Sequence, residues 1–237
     1  MPQFDLNKAR LKLYDAFNTY TPSRVVAGCP CCTDDKLAKI LGTSKLKDLG
    51  LNELNHYASS ALLTWGDLND FKYFLPRILE LYYPIAEVDL EIILSKLQYS
   101  NWNKWPKLEV EVVTFYLKAI WEDVINQLQS VDAVDEVLCA IALTGTNLNF
   151  YLESWAFNSK REARINLGKF IIRNISELVH KNELFNPFYK DIPESVAVIK
   201  HWLYKLDANI LKIDKYIEDD KQKLESAINL LQLYQRK

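Results

Sequence analysis

Three of the four cysteines fall within four positions, in the run Gly28-Cys29-Pro30-Cys31-Cys32. Thiolates bind Zn²⁺ well, and a structural zinc takes four nitrogen or sulfur ligands. Cys29, Cys31 and Cys32 would supply three, with His56, His180, His201 or Cys139 adding a fourth from elsewhere in the chain. The spacing argues against zinc, because paired zinc cysteines usually stand two or more residues apart and adjacent side chains point differently. Redox chemistry is a second option, but a reactive thiol needs an exposed, electropositive setting, and Arg24 is the one nearby cation upstream. The reading that asks least of the sequence is a tight loop whose thiols are small buried fillers.

A second constellation is Thr64-Trp65-Gly66-Asp67-Leu68-Asn69-Asp70-Phe71-Lys72-Tyr73-Phe74-Leu75-Pro76-Arg77. Two carboxylates such as Asp67 and Asp70 can serve as general acid and base if their surroundings separate their pKa values. Helix starts attract aspartate for capping and dipole reasons alone, and capping is the expected role. Trp65 is expected to bury its indole and close one helix, with Gly66 at the left-handed C-terminal position and Asp67 or Asn69 capping the next. Arg77 is expected in an ion pair. A third group is aromatic: Trp102, Trp105, Phe115, Tyr116, Trp121, Tyr151 and Trp155. Such residues can line a binding groove, but at helical spacing they are expected in the core. Trp102, read as a loop residue, is the exposed exception.

These residues need a scaffold, and the composition specifies its class. The 237 residues are 49% hydrophobic and 25% charged, with only 6 Gly and 8 Pro, which favours long helices over turn-rich sheets. Apolar positions recur at three and four residues almost throughout, as in Leu6, Ala9, Leu13, Phe17 and Tyr20 after Asp5. Pro22, Gly28 and Pro30 break the next segment into a loop, after which Thr33-Asp34-Asp35 opens a short helix ending at Gly42. Pro76, inside a helical stretch, predicts a kink or two abutting helices. Leu75, Ile78, Phe115, Ala119, Ile172 and Ile228 lie on apolar stripes and are expected in the core. Ile210, Ile213, Ile217, Leu224, Ile228 and Leu231 predict a C-terminal helix, bent or in two parts. About ten or eleven helices with short connections predict an all-α fold of antiparallel helix pairs, either a HEAT-like α-solenoid or an irregular helical bundle. Residues 1–237 read as a single domain with a change of layer near 99–105.

Gly28-Cys29-Pro30-Cys31-Cys32, Leu54-x-x-Tyr57-Ala58, Thr64-Trp65-Gly66-Asp67 and Asp70-Phe71-Lys72-x-Phe74-Leu75-Pro76-Arg77 together resemble an uncharacterised bacterial helical family. Trp102-x-x-Trp105-Pro106-x-x-Glu109 and Tyr151-Leu152-x-x-Trp155 are similar to the same family. The resemblance covers most of the chain and implies an all-helical fold; it brings no activity, cofactor or catalytic residues.

The 29 basic and 31 acidic residues give a formal charge of −2, which does not support broad attraction to nucleic acid. No apolar run approaches the ~20 residues needed to span a bilayer. Met1-Pro2-Gln3-Phe4-Asp5 has neither the basic nor the apolar part of a secretory signal, so a cytoplasmic location is expected. The phosphate-loop, dinucleotide-glycine, G-x-S-x-G and H-E-x-x-H signatures are missing, which points away from an enzyme. The leading expectation is a protein-binding module, in its sharpest form an immunity protein that neutralises a bacterial toxin by docking on it. Asp67, Asp70, Trp102, Glu218, Asp219 and Asp220 are the candidate partner-binding residues, the acids facing a basic groove. No cofactor is needed for that role. The alternatives are a zinc- or thiol-dependent protein centred on Cys29, Cys31 and Cys32, and a structural adaptor.

Overall fold

The computed structural model describes residues 4–84, 89–128, 130–212 and 218–236, with the side chains of 131, 218 and 219 outside the description. Among the described residues there are eleven α-helices and no strand beyond isolated bridges, so the fold is all-α and compatible with a bundle or a solenoid. No helix among them is long and apolar enough to cross a membrane. The chain divides into two compact units, residues 1–120 and 121–237.

The first unit contains α1 (Leu6–Phe17), α2 (Asp35–Thr43), α3 (Leu51–Ser60), α4 (Leu68–Tyr82), α5 (Leu90–Tyr99) and the start of α6 (Lys107–Ile125). Asp5 caps α1 by accepting the Lys8 amide at 2.6 Å, and Ala9, Leu13 and Phe17 bury one face at four-residue spacing. That face packs on α4, the central helix of the unit, which buries Phe71, Phe74, Leu75, Ile78, Leu79 and Tyr82. Pro76 lies inside α4, which is a single continuous helix rather than two. Arg77 pairs with Glu80 at 2.7 Å as expected and also reaches the Leu49 carbonyl at 2.8 Å.

Trp102 corrects an expectation. It sits in a short 3-10 turn, Trp102–Lys104, and is only 6% exposed. Asn101 adopts a left-handed conformation (φ 54°) that folds this turn back against α5, so the indole goes inward. The segment 99–105 lies within the first unit.

The second unit contains α7 (Val131–Leu143), α8 (Asn149–Ala156), α9 (Arg161–Lys181), α10 (Pro193–Lys205) and α11 (Glu218–Gln235). Its core is aromatic. Trp155 lies edge-on to Trp121 (5.1 Å) and Phe170 (5.3 Å) and stacks on Trp202 (6.2 Å). Each buried indole N–H finds an acceptor: Trp121 donates to the Tyr151 carbonyl at 2.9 Å and Trp155 to that of Ala163 at 3.0 Å.

Of the six expected core residues, Leu75, Ile78 and Ala119 are buried, while Phe115, Ile172 and Ile228 are half-buried. Val179, placed on the same stripe as Ile172, is exposed. The reason is that α9 buries a wide face through Ala163, Leu167, Phe170, Ile171, Asn174 and Leu178 as well as Ile165 and Ile175. Ile213 and Ile217, assigned to the C-terminal helix, lie outside the described residues.

Candidate metal centre at the three-thiol loop

The cysteine run lies in the connection between α1 and α2, and its backbone is tied down on one side. The Val26 amide donates to Ala38 on α2 (3.2 Å), and the Val26 carbonyl accepts the Trp65 indole N–H (2.9 Å). Next along, the Gly66 amide donates to the Ala27 carbonyl and the Cys29 amide to the Thr64 carbonyl, each at 2.7 Å, around an antiparallel bridge between Gly28 and Trp65. Gly28 has no room for a side chain: a Cβ there would lie 2.3 Å from the Thr33 methyl and 2.8 Å from the Thr64 carbonyl oxygen. Gly42, expected to end α2, lies just inside it where the Ser23 and Arg24 backbone crosses, with carbonyl oxygens 2.2–2.3 Å from where its Cβ would be.

From this anchored edge the chain turns sharply. The Cys32 amide donates back to the Cys29 carbonyl at 2.9 Å, with Pro30 pre-set for the second turn position. Thr33 closes the turn by donating its hydroxyl to the same carbonyl at 2.9 Å. The turn gathers the three thiols: Cys29 and Cys31 sulfurs are 2.9 Å apart, Cys31 and Cys32 sulfurs 3.5 Å, and all three lie within 4.8 Å of one another. All are free thiols. Cys31 is exposed and the other two are half-buried, so the buried-filler reading is corrected: a tight turn too short to have a core beneath it leaves its sulfurs at the surface.

The electrostatics of Cys29 and Cys31 diverge. The Cys31 thiol hydrogen bond, followed by the Cys31 backbone amide and the Cys32 thiol, holds Cys29 below the usual thiol range. Cys31, facing its two neighbours' sulfurs, is pushed up to about 11. Cys29 is thus the sulfur whose charged form its neighbours favour, on the anchored side, with two further sulfurs in reach. The cluster lies close enough to bind a metal. Among the described residues no histidine, aspartate, glutamate or further cysteine joins it. Of the proposed fourth ligands, His56 instead packs edge-on against Trp65 at 5.0 Å, and Cys139, His180 and His201 belong to the second unit, Cys139 fully buried there.

Asp67 and Asp70 do structural work beside this loop. Asp67 accepts the Asp70 amide at 2.9 Å, and Asp70 returns the bond to the Asp67 amide at 3.3 Å, a reciprocal cap on α4. Asp70, 2% exposed, also accepts the Ser23 amide at 2.9 Å, and Asn69 donates to the Thr21 carbonyl at 2.7 Å. The start of α4 therefore holds down the segment that leads into the cysteines. Trp65 is buried and Gly66 has φ +70°, both as expected. Trp65 does not close α3, however. That helix ends at Ser60, and a turn with Leu62 at positive φ intervenes.

Asp220 forms an ion pair with Arg161 within the second unit. The side chains of Glu218 and Asp219, the other two acids of that cluster, lie outside the described residues.

One arrangement went unread as a unit. Lys72 on α4 and Glu109 on α6 pair at 2.7 Å with side chains 6% and 7% exposed. Tyr20 donates to Glu109 at 2.6 Å and accepts from Lys72 at 3.0 Å, and Trp105 covers the ammonium at 4.5 Å. The available signal was a lysine and a glutamate each set among apolar neighbours, Phe71-Lys72 and Glu109-Val110.

No protein-family model, curated protein or solved structure matches the chain.

Proposed function

We propose that this protein binds a thiophilic metal ion through Cys29, Cys31 and Cys32 on a helical scaffold. The observation that carries the reading is the convergence of three free sulfurs within 4.8 Å on a loop anchored by Thr64, Gly66 and Trp65. Three thiols this close repel one another once ionised, and a bound cation relieves that repulsion. Zinc is the first ion to test, since thiolate is its preferred structural ligand. Elemental analysis of protein purified without chelator decides the matter. Near one equivalent of metal per chain is expected, and none in the Cys29→Ser/Cys31→Ser/Cys32→Ser variant. Less than about a tenth of an equivalent after reconstitution sinks the proposal.

A docking role is the second reading, with toxin neutralisation as an immunity protein its sharpest form. It is favoured by exposed apolar side chains in the segments that build the same corner: Val25 (54%), Leu63 (55%) and Leu68 (41%). Capture of a toxin domain by the wild-type chain, lost on Leu63→Asp, supports it; capture unaffected by Leu63→Asp and Val25→Asp removes this corner as the docking surface.

A further inference from the structure

We infer that Cys29, Cys31 and Cys32 form a three-coordinate, all-sulfur site for cuprous copper, Cu(I). This rests on the metal-binding reading and names the ion. Zinc in a structural site takes four ligands. Here three sulfurs stand alone, with no histidine, carboxylate or fourth cysteine among the described residues in the group. Asp34, two residues beyond Cys32, is the nearest carboxylate in sequence, and it is committed to capping α2 through the Leu37 amide at 2.7 Å. Soft thiolates select Cu(I), zinc and iron–sulfur clusters; structural zinc and the clusters take four protein ligands, whereas Cu(I) is satisfied by three sulfurs.

With metal–sulfur bonds of about 2.3 Å, three sulfurs in a plane around one ion stand about 4.0 Å apart. The present separations of 2.9 and 3.5 Å must therefore open by about 1.1 and 0.5 Å respectively. The Cys29 backbone is held by its amide bond to Thr64 and by Thr33 on its carbonyl, and the Cys32 amide is bonded to that same carbonyl, whereas the Cys31 side chain is exposed. An anchored ligand beside an exposed one suits capture of an ion from solution or from a donor molecule.

Three thiolates and Cu(I) carry a net −2, which a dry site would not tolerate. This loop is at the surface, with Cys31 exposed, where water screens that charge.

The test uses the reduced full-length chain under anaerobic conditions. Cu(I) is supplied as its acetonitrile complex in competition with bathocuproine disulfonate, and Zn²⁺ and Cd²⁺ are titrated in parallel. One Cu(I) per chain is expected, with an X-ray absorption shell of three sulfurs and no nitrogen or oxygen. Cys31→Ser is expected to weaken Cu(I) binding by roughly 100-fold or more with an unchanged helical circular dichroism spectrum. Cys31→Ala serves if the serine variant misfolds, and Cys139→Ser should bind as the parent does. A four-ligand zinc shell at one equivalent, with Cu(I) held no better than by Cys31→Ser, overturns the cuprous assignment and leaves metal binding standing. No metal held beyond that of the triple serine variant overturns both.

Discussion

Lys72 and Glu109 carry opposite charges into an apolar setting, and each is tolerated only because the other is there. Removing one partner of a buried pair leaves an uncompensated charge, which costs about 3–5 kcal/mol. Lys72→Met should therefore lower unfolding free energy by about that amount in urea titration, although Tyr20 still donates to Glu109. Lys72→Met/Glu109→Gln should recover much of the loss, because a neutral amide is cheaper to bury than a lone carboxylate. A single-variant loss below about 1 kcal/mol would mean that water reaches the pair. Gly66 poses a conformational problem of a different kind. At φ +70° an alanine is strained, and its Cβ would lie 3.0 Å from the Tyr57 ring, so Gly66→Ala should cost more than ~1 kcal/mol. Asp67→Ala should cost about 0.5–2 kcal/mol through the lost cap on α4.

Between elements, polar side chains reach from one segment to the next where apolar packing alone would leave their relation loose. Asp70 caps α4 and holds the Ser23 amide, so Asp70→Ala should raise hydrogen exchange across residues 20–29 while the middle of α4 stays protected. Exchange raised equally in both segments would show that Asp70 acts through global stability instead. The α1–α4 contact has its own switch. Tyr14 donates to Glu80 at 2.6 Å and Arg77 pairs with it at 2.7 Å. Burial opposes the Glu80 charge, but these bonds from Tyr14 and Arg77 outweigh it and hold the carboxyl below its usual range. Because the folded pKa is the lower one, the stabilisation is fully present above the unfolded value of about 4.3 and is lost as pH falls through the folded value. Stability measured from pH 7 downward should hold to about pH 5 and then decline, less steeply in Glu80→Gln.

For the molecule as a whole, circular dichroism should be strongly α-helical, without a β contribution. The second unit depends on an indole cluster more than on aliphatic layers. Trp155 touches Trp121, Phe170 and Trp202, so Trp155→Ala should remove about 3–5 kcal/mol and most of the near-ultraviolet signal that comes from ordered indoles. Retention of that signal would show that the remaining rings repack around the void.

The residues themselves determined the all-helical class, because scarce glycine and three-and-four apolar spacing are local properties that no distant contact can hide. Local too were the caps at Asp5, Asp34 and Asp67 and the positive φ at Gly66, each decided within a few residues of chain. The thiol run was visible, but its exposure was not, since burial depends on what packs from afar. Trp102 was misread for the same reason: whether a turn between two helices faces water or core depends on the direction in which Asn101 folds it. The joining of Gly28 to Trp65, of Ser23 to Asp70 and of Lys72 to Glu109 spans separations along the chain that periodicity cannot see. Only the tertiary packing of the first unit brings those partners within hydrogen-bonding range, and that packing sets the edge from which the three sulfurs are presented.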